Sequence, residues 1–126
     1  MRDDFAITTA YIGRNAHVVT VAGELDVATA PALRNELDRI SAEGATDTVV
    51  DLLAVSFVDS VGLGILIAAS KRMKARGGAL RIVCDDRRIA RIIEVTGLDR
   101  VLPIHTTLRE ALEDLGGHVI PKAEAL

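Results

Sequence analysis

The residues Thr48-Val49-Val50-Asp51-Leu52-Leu53, then Phe57-Val58-Asp59-Ser60-Val61-Gly62-Leu63-Gly64, then Ile65-Leu66-Ile67-Ala68-Ala69-Ser70 decide how this chain folds. The β-branched run 48–53 predicts a buried strand, and from Val61 to the Gly77-Gly78 stop the pattern turns helical. Ser60 therefore falls at a helix start, where its hydroxyl is expected to act as N-cap. Glycine inside a helix costs on the order of 1 kcal/mol relative to Ala, so Gly62 and Gly64 in the opening turn imply a close approach to the backbone, by a neighbouring strand or by a visitor. The partial positive charge and orphan N–H groups of a helix N-terminus also make it a place for a phosphate, carried by a ligand or attached to Ser60. Val61, Leu63, Ile65, Leu66, Ile67, Ala68 and Ala69 wrap most of the helix, which is then either deep in the core or offers apolar surface to a partner.

Outward from this segment the remaining elements fall into place. Residues 5–10 and 17–22 read as strands joined by a short connection into an antiparallel hairpin, the second ending at Gly23. Between 26 and 43, Leu33, Leu37 and Ile40 recur at helical spacing behind Pro31, which suits a first turn. Strand 79–84 precedes a helix headed by Asp85-Asp86, with Ile89, Ile92 and Ile93 facing inward and Gly97 as a left-handed cap. A short strand at 101–104 and a capping box, Thr107 with Glu110, introduce a final helix at 108–115 that Gly116-Gly117 ends. The expected fold is α/β: a mixed sheet of about five strands, antiparallel only in the opening hairpin, covered by about four helices. Residues 1–117 form the expected domain and 118–126 a tail.

Composition narrows the function classes. The 126 residues suit one domain, with 49% hydrophobic and 26% charged residues. A net charge of −3 and only Phe5, Phe57 and Tyr11 as aromatics argue against direct nucleic-acid binding. Lys71, Arg72, Lys74 and Arg76 sit in the last helical turns, where cations favour the dipole. A single cysteine, Cys84, excludes an internal disulfide and reads as a small buried hydrophobe in a reducing compartment. With an acidic start and no apolar run long enough for a membrane span, the chain is expected to be cytoplasmic.

Several acids end the proposed strands: Glu24, Asp26, Asp51, Asp59, Asp85 and Asp86. A phosphoacceptor-aspartate receiver would use such acids, but it wants a lysine after its last strand, where Pro103-Ile104-His105 stands, and an all-parallel sheet. No Gly-Lys-Ser/Thr loop is present, and Ile67 stands where a dinucleotide fingerprint wants Gly. Ser60 lacks the glycines of a nucleophile elbow, and His17, His105, His118 and Cys84 show no base or metal-ligand spacing. No enzyme activity, metal or cofactor is expected.

Taken together, Gly23-Glu24-Leu25-Asp26, Val55-Ser56-Phe57-Val58-Asp59-Ser60-x-Gly62-Leu63-Gly64, Gly77-Gly78 and Thr96-Gly97-Leu98 resemble the STAS family of anti-sigma factor antagonists, over residues 5–115. The resemblance implies a switch: an anti-sigma factor that is itself a serine kinase phosphorylates the serine after the motif aspartate, here Ser60, and a serine phosphatase restores it. The unphosphorylated form binds the kinase and frees the sigma factor. It implies a partner-binding surface at Glu24, Asp26, Asp59, Ser60, Val61, Gly62, Leu63 and Gly64, on a domain that is monomeric when free. Where many relatives carry a second hydroxyl after the acceptor, this chain has Val61. Related domains also serve as constitutive interaction subunits in stress-signalling and lipid-transport assemblies, in which Ser60 would be only a cap.

Overall fold

The computed structural model describes residues 4–13 and 16–115. Five strands lie in the order β1-β2-β3-β4-β5: β1 (Ala6–Ile12), β2 (Ala16–Leu25), β3 (Asp47–Val58), β4 (Ala79–Val83) and β5 (Ile104–His105). Only β1 and β2 pair antiparallel; every later pairing is parallel. Four α-helices, α1 (Ala30–Ala42), α2 (Ser60–Ala75), α3 (Arg87–Val95) and α4 (Leu108–Leu115), cover the sheet.

Strand β3 is buried on both faces over residues 47–52, as its apolar run requires. Val50 and Leu52 join the main core with Leu33, Leu37 and Ile40 of α1, Leu66 and Met73 of α2, and Ile89 and Ile93 of α3. Val49 turns the other way, onto Ala111 and Leu115 of α4. Cys84 is a free, buried cysteine whose thiol burial pushes up in pKa. Asp86 caps α3 by accepting from the Arg88 N–H at 2.8 Å, and Gly97 is left-handed at φ 77°.

Several boundaries differ from the sequence reading, each for a local reason. β2 does not stop at Gly23 but runs to Leu25, because Gly23 takes φ 100° inside the strand where the register with β3 shifts. β3 continues past Leu53 to Val58, paired with that extension of β2 alone. The strand expected over 101–104 is confined to Ile104–His105, because the chain leaving the 3-10 turn at Leu98–Arg100 is still turning at 101–102. Ile92 is not inward but 44% exposed, since only Ile89 and Ile93 lie on the core side of α3. At α4 the Glu110 N–H donates to Thr107 Oγ1 at 3.1 Å, while the Glu110 carboxylate takes the Thr106 hydroxyl, so the box closes on one side only. The proposed Gly116-Gly117 stop and the 118–126 tail lie outside the described residues.

Candidate functional site

The paired extensions of β2 and β3 carry two loops to the carboxyl edge of the sheet, where open α/β folds place their sites. Opposite each other in the last rungs stand Glu24 and Phe57, then Leu25 and Val58. The first loop is a turn built on Asp26. Its Oδ1 accepts from the N–H groups of Ala28 and Thr29 at 3.0 and 3.2 Å, and the Thr29 hydroxyl donates to the Glu24 carbonyl at 2.6 Å. With 8% exposure Asp26 is a structural clamp for this turn, and its neighbour Val27 is pushed into solvent at 68% exposure.

The second loop is Asp59, and here the structure corrects the reading of Ser60. The N-cap is Asp59, in extended conformation, with Oδ1 accepting from the Val61 and Gly62 N–H groups at 2.9 and 3.0 Å. Its Oδ2 accepts from the Val27 N–H at 3.1 Å, and its own N–H donates to the Leu25 carbonyl at 3.1 Å. One carboxylate thus caps α2 and fastens the Asp26 turn to it. Ser60, released from capping, is the first residue of α2 and is exposed.

The two glycines part company. A Cβ on Gly62 would meet Leu25 Cγ at 2.8 Å, so the close approach is made by the end of β2. A Cβ on Gly64 would meet nothing within 4 Å. Leu63, at 7% exposure, belongs to the core and Gly62 is buried, so neither presents side-chain surface. The surface left around Ser60 is Val27, Phe57 at 48% exposure, Val61 at 41% and the bare backbone of Gly64. The sequence reading did not single out Val27 or Phe57 as surface. The signal for Val27 was an apolar residue directly after the acid that clamps the turn; Phe57 carried none, because its exposure follows from a strand end that outruns β4.

Along α2 the exposed positions Val61, Gly64, Ala68 and Lys71 recur at helical spacing, while Leu63, Leu66, Ala69 and Met73 are buried. The helix therefore fills the core and offers a narrow stripe of small and apolar groups, turning basic toward its C-terminus. Such a surface is suited to docking a protein. Among the described residues no group of three or more His, Cys, Asp or Glu could hold a metal, and no helix is long and apolar enough to cross a membrane.

Comparison with known proteins agrees with this architecture. The STAS domain model matches residues 8–111. The chain is 38% identical over 86 residues to the anti-sigma-B factor antagonist of Bacillus subtilis, covering 68% of this chain and 78% of that protein. It is 35% identical over 100 residues to the anti-sigma-F factor antagonist RsfB of Mycobacterium tuberculosis, covering 79% and 81%. The crystal structure of an anti-sigma factor antagonist from Mycobacterium paratuberculosis superposes with a TM-score of 0.81 at 34% identity, covering 91% of this chain and 97% of the other. The chain therefore belongs to the STAS-domain family of anti-sigma factor antagonists.

Proposed function

We propose that this chain is an anti-sigma factor antagonist that binds, unphosphorylated, an anti-sigma factor acting as serine kinase, so releasing the sigma factor. Phosphorylation of Ser60 by that kinase ends the complex, and a serine phosphatase restores the binding form. The observation that carries the reading is the exposure of Ser60 at the first position of α2, directly after an aspartate that has taken over the cap and beside exposed Val27, Phe57 and Val61. A kinase can reach that hydroxyl without unfolding the helix, and a partner has an apolar surface to cover around it.

In this reading the docking surface is formed by Val27, Phe57, Ser60, Val61 and Gly64 together with the edge at Glu24, while Asp26, Asp59, Gly62 and Leu63 hold it in shape. The working unit is residues 1–117, acting in the cytoplasm without catalysis of its own. The test is phosphorylation by the cognate kinase followed by tryptic mapping. A single phosphate is expected on the peptide containing Ser60 and none on Ser60→Ala. Equal labelling of Ser60→Ala would remove the acceptor assignment and leave the domain a constitutive binding subunit.

A further inference from the structure

Of the three apolar side chains exposed around Ser60, Phe57 stands in the last rungs of the β2–β3 pairing and Val61 in the first turn of α2. Val27 belongs to no strand or helix, and it is the most exposed of the three. A lone exposed valine needs no explanation, but the backbone that carries this one is fixed from two sides. Within the turn, Asp26 and Thr29 close on each other: Asp26 Oδ1 accepts from the Ala28 and Thr29 N–H groups, and Thr29 Oγ1 accepts from the Asp26 N–H at 2.9 Å while donating to the Glu24 carbonyl. Those bonds set the shape of the turn. Its position on α2 is set by a different one, from the Val27 N–H to Asp59 Oδ2, the second oxygen of the carboxylate whose Oδ1 caps the helix that starts at Ser60.

We propose that Val27 is the anchor through which the serine kinase recognises this chain, its side chain entering an apolar pocket of the kinase, and that Asp59 is its positioning residue, holding Val27 in register with Ser60. The inference rests on the reading of Ser60 as acceptor in a kinase complex and deepens it. Binding energy concentrates in a few groups that a partner can cover fully and that lose little freedom on docking. Val27 meets both conditions: its side chain stands in solvent, β-branching leaves it few χ1 rotamers, and its backbone is already ordered. Asp26, Gly62 and Leu63 are buried, so these motif residues shape the site without offering side chains to a partner. One carboxylate holds both the first turn of α2 and the Val27 backbone, so a kinase that seats Val27 also brings the Ser60 hydroxyl to a fixed place, as an oriented transfer requires.

Steady-state phosphorylation of the full chain by the cognate kinase with ATP, together with calorimetric titration of the kinase in ADP and thermal melts, tests this. Val27→Ala removes two methyl groups from the covered anchor and is expected to raise KM and Kd about tenfold, with kcat and melting temperature unchanged. Asp59→Asn keeps an acceptor oxygen for the α2 cap but turns an amide N–H toward the Val27 N–H, so it is expected to raise KM to a similar extent at unchanged kcat. The double variant is expected to be no weaker than the weaker single one, because both changes act through Val27. Val27→Ala equal to wild type in KM and Kd, or a double variant in which the two effects add, overturns the proposal and leaves the acceptor reading standing, provided the wild type is bound and labelled on Ser60. A kinase that neither binds nor labels the wild type overturns that reading and the proposal with it.

Discussion

Asp59 joins two tasks that are separable by substitution. As N-cap it accepts from Val61 and Gly62, and through Oδ2 it holds Val27. Asp59→Ala is expected to cost about 1 to 2 kcal/mol from the lost cap and to loosen the Asp26 turn, read as a lower urea midpoint with an unchanged slope. Asp59→Asn, which keeps an acceptor oxygen, should recover most of it. The glycines offer a sharper contrast. Gly64→Ala adds a methyl into open space in a helix, so stability should rise by up to about 1 kcal/mol, while partner affinity should fall if the backbone there belongs to the proposed docking stripe. Gly62→Ala meets Leu25 Cγ at 2.8 Å, in a fully buried side chain, and should lose about 1 to 3 kcal/mol. A rise in the melting temperature of Gly62→Ala would contradict the packing described. The spacing of the glycines alone could not distinguish these two, since both cost the same as helix residues; only the position of β2 separates packing from access. For the same reason Ser60 read as a cap, although the acid before it was better placed to accept.

Among the described residues, periodicity located the four α-helices along the chain, because burial of one face is written into residues such as Leu33, Leu37 and Ile40. The strand extensions were less legible: Phe57 and Val58 pair with β2 alone, and no local propensity encodes a strand that outruns the rest of its sheet. Gly77-Gly78 ends α2 as its composition predicts, yet the turn into β4 is more demanding than a helix stop. A Cβ on Gly78 would lie 1.7 Å from the Thr46 carbonyl oxygen, so Gly78→Ala must move backbone and is expected to lose about 3 kcal/mol or more, measured by thermal melting. On α1, the Arg39 guanidinium bonded to Glu36 holds that carboxyl at about 2 against an ordinary value of 4.5, helped by the Thr9 hydroxyl. A carboxylate lowered on folding adds stability that is complete above about 4.5 and is lost as the pH falls toward 2. The pair is partly exposed, so screening holds the contribution to about 1 kcal/mol or less. Denaturant midpoints of wild type and Glu36→Gln should therefore differ at pH 6, and the gap should narrow below about pH 4.5 and close only as the pH falls to about 2 and below; a constant gap would mean that packing, not charge, is what Glu36 supplies.

In the proposed switch the domain as a whole responds to one phosphate on Ser60 without losing its fold, and the position of Ser60 explains how. Ser60 is exposed, and the buried side chains of α2, Leu63, Leu66 and Met73, face the other way, so modification leaves the core packing intact. At the N-terminus of α2 the helix dipole favours added negative charge by roughly 0.3 to 1 kcal/mol. The opposing term is local: a phosphate brings about −1.5 to −2 charges beside Asp59, and like charges ~4 Å apart at an effective dielectric of ~20 cost about 4 kcal/mol. Free in solution, the dianion can rotate into water. Under a partner that covers Val27, Phe57 and Val61 it would have to be desolvated against apolar surface, which adds to the repulsion. A loss of ~4 kcal/mol weakens binding about a thousandfold. Ser60→Asp is accordingly expected to melt within a few degrees of wild type yet fail to bind the kinase partner, whereas Ser60→Ala should bind and resist release by ATP. Calorimetric titration of the three forms, with thermal melts of the same samples, separates the two terms. Equal affinity of wild type and Ser60→Asp would show that charge at this position does not govern docking, and a collapsed melt of Ser60→Asp would transfer the effect from the interface to the fold.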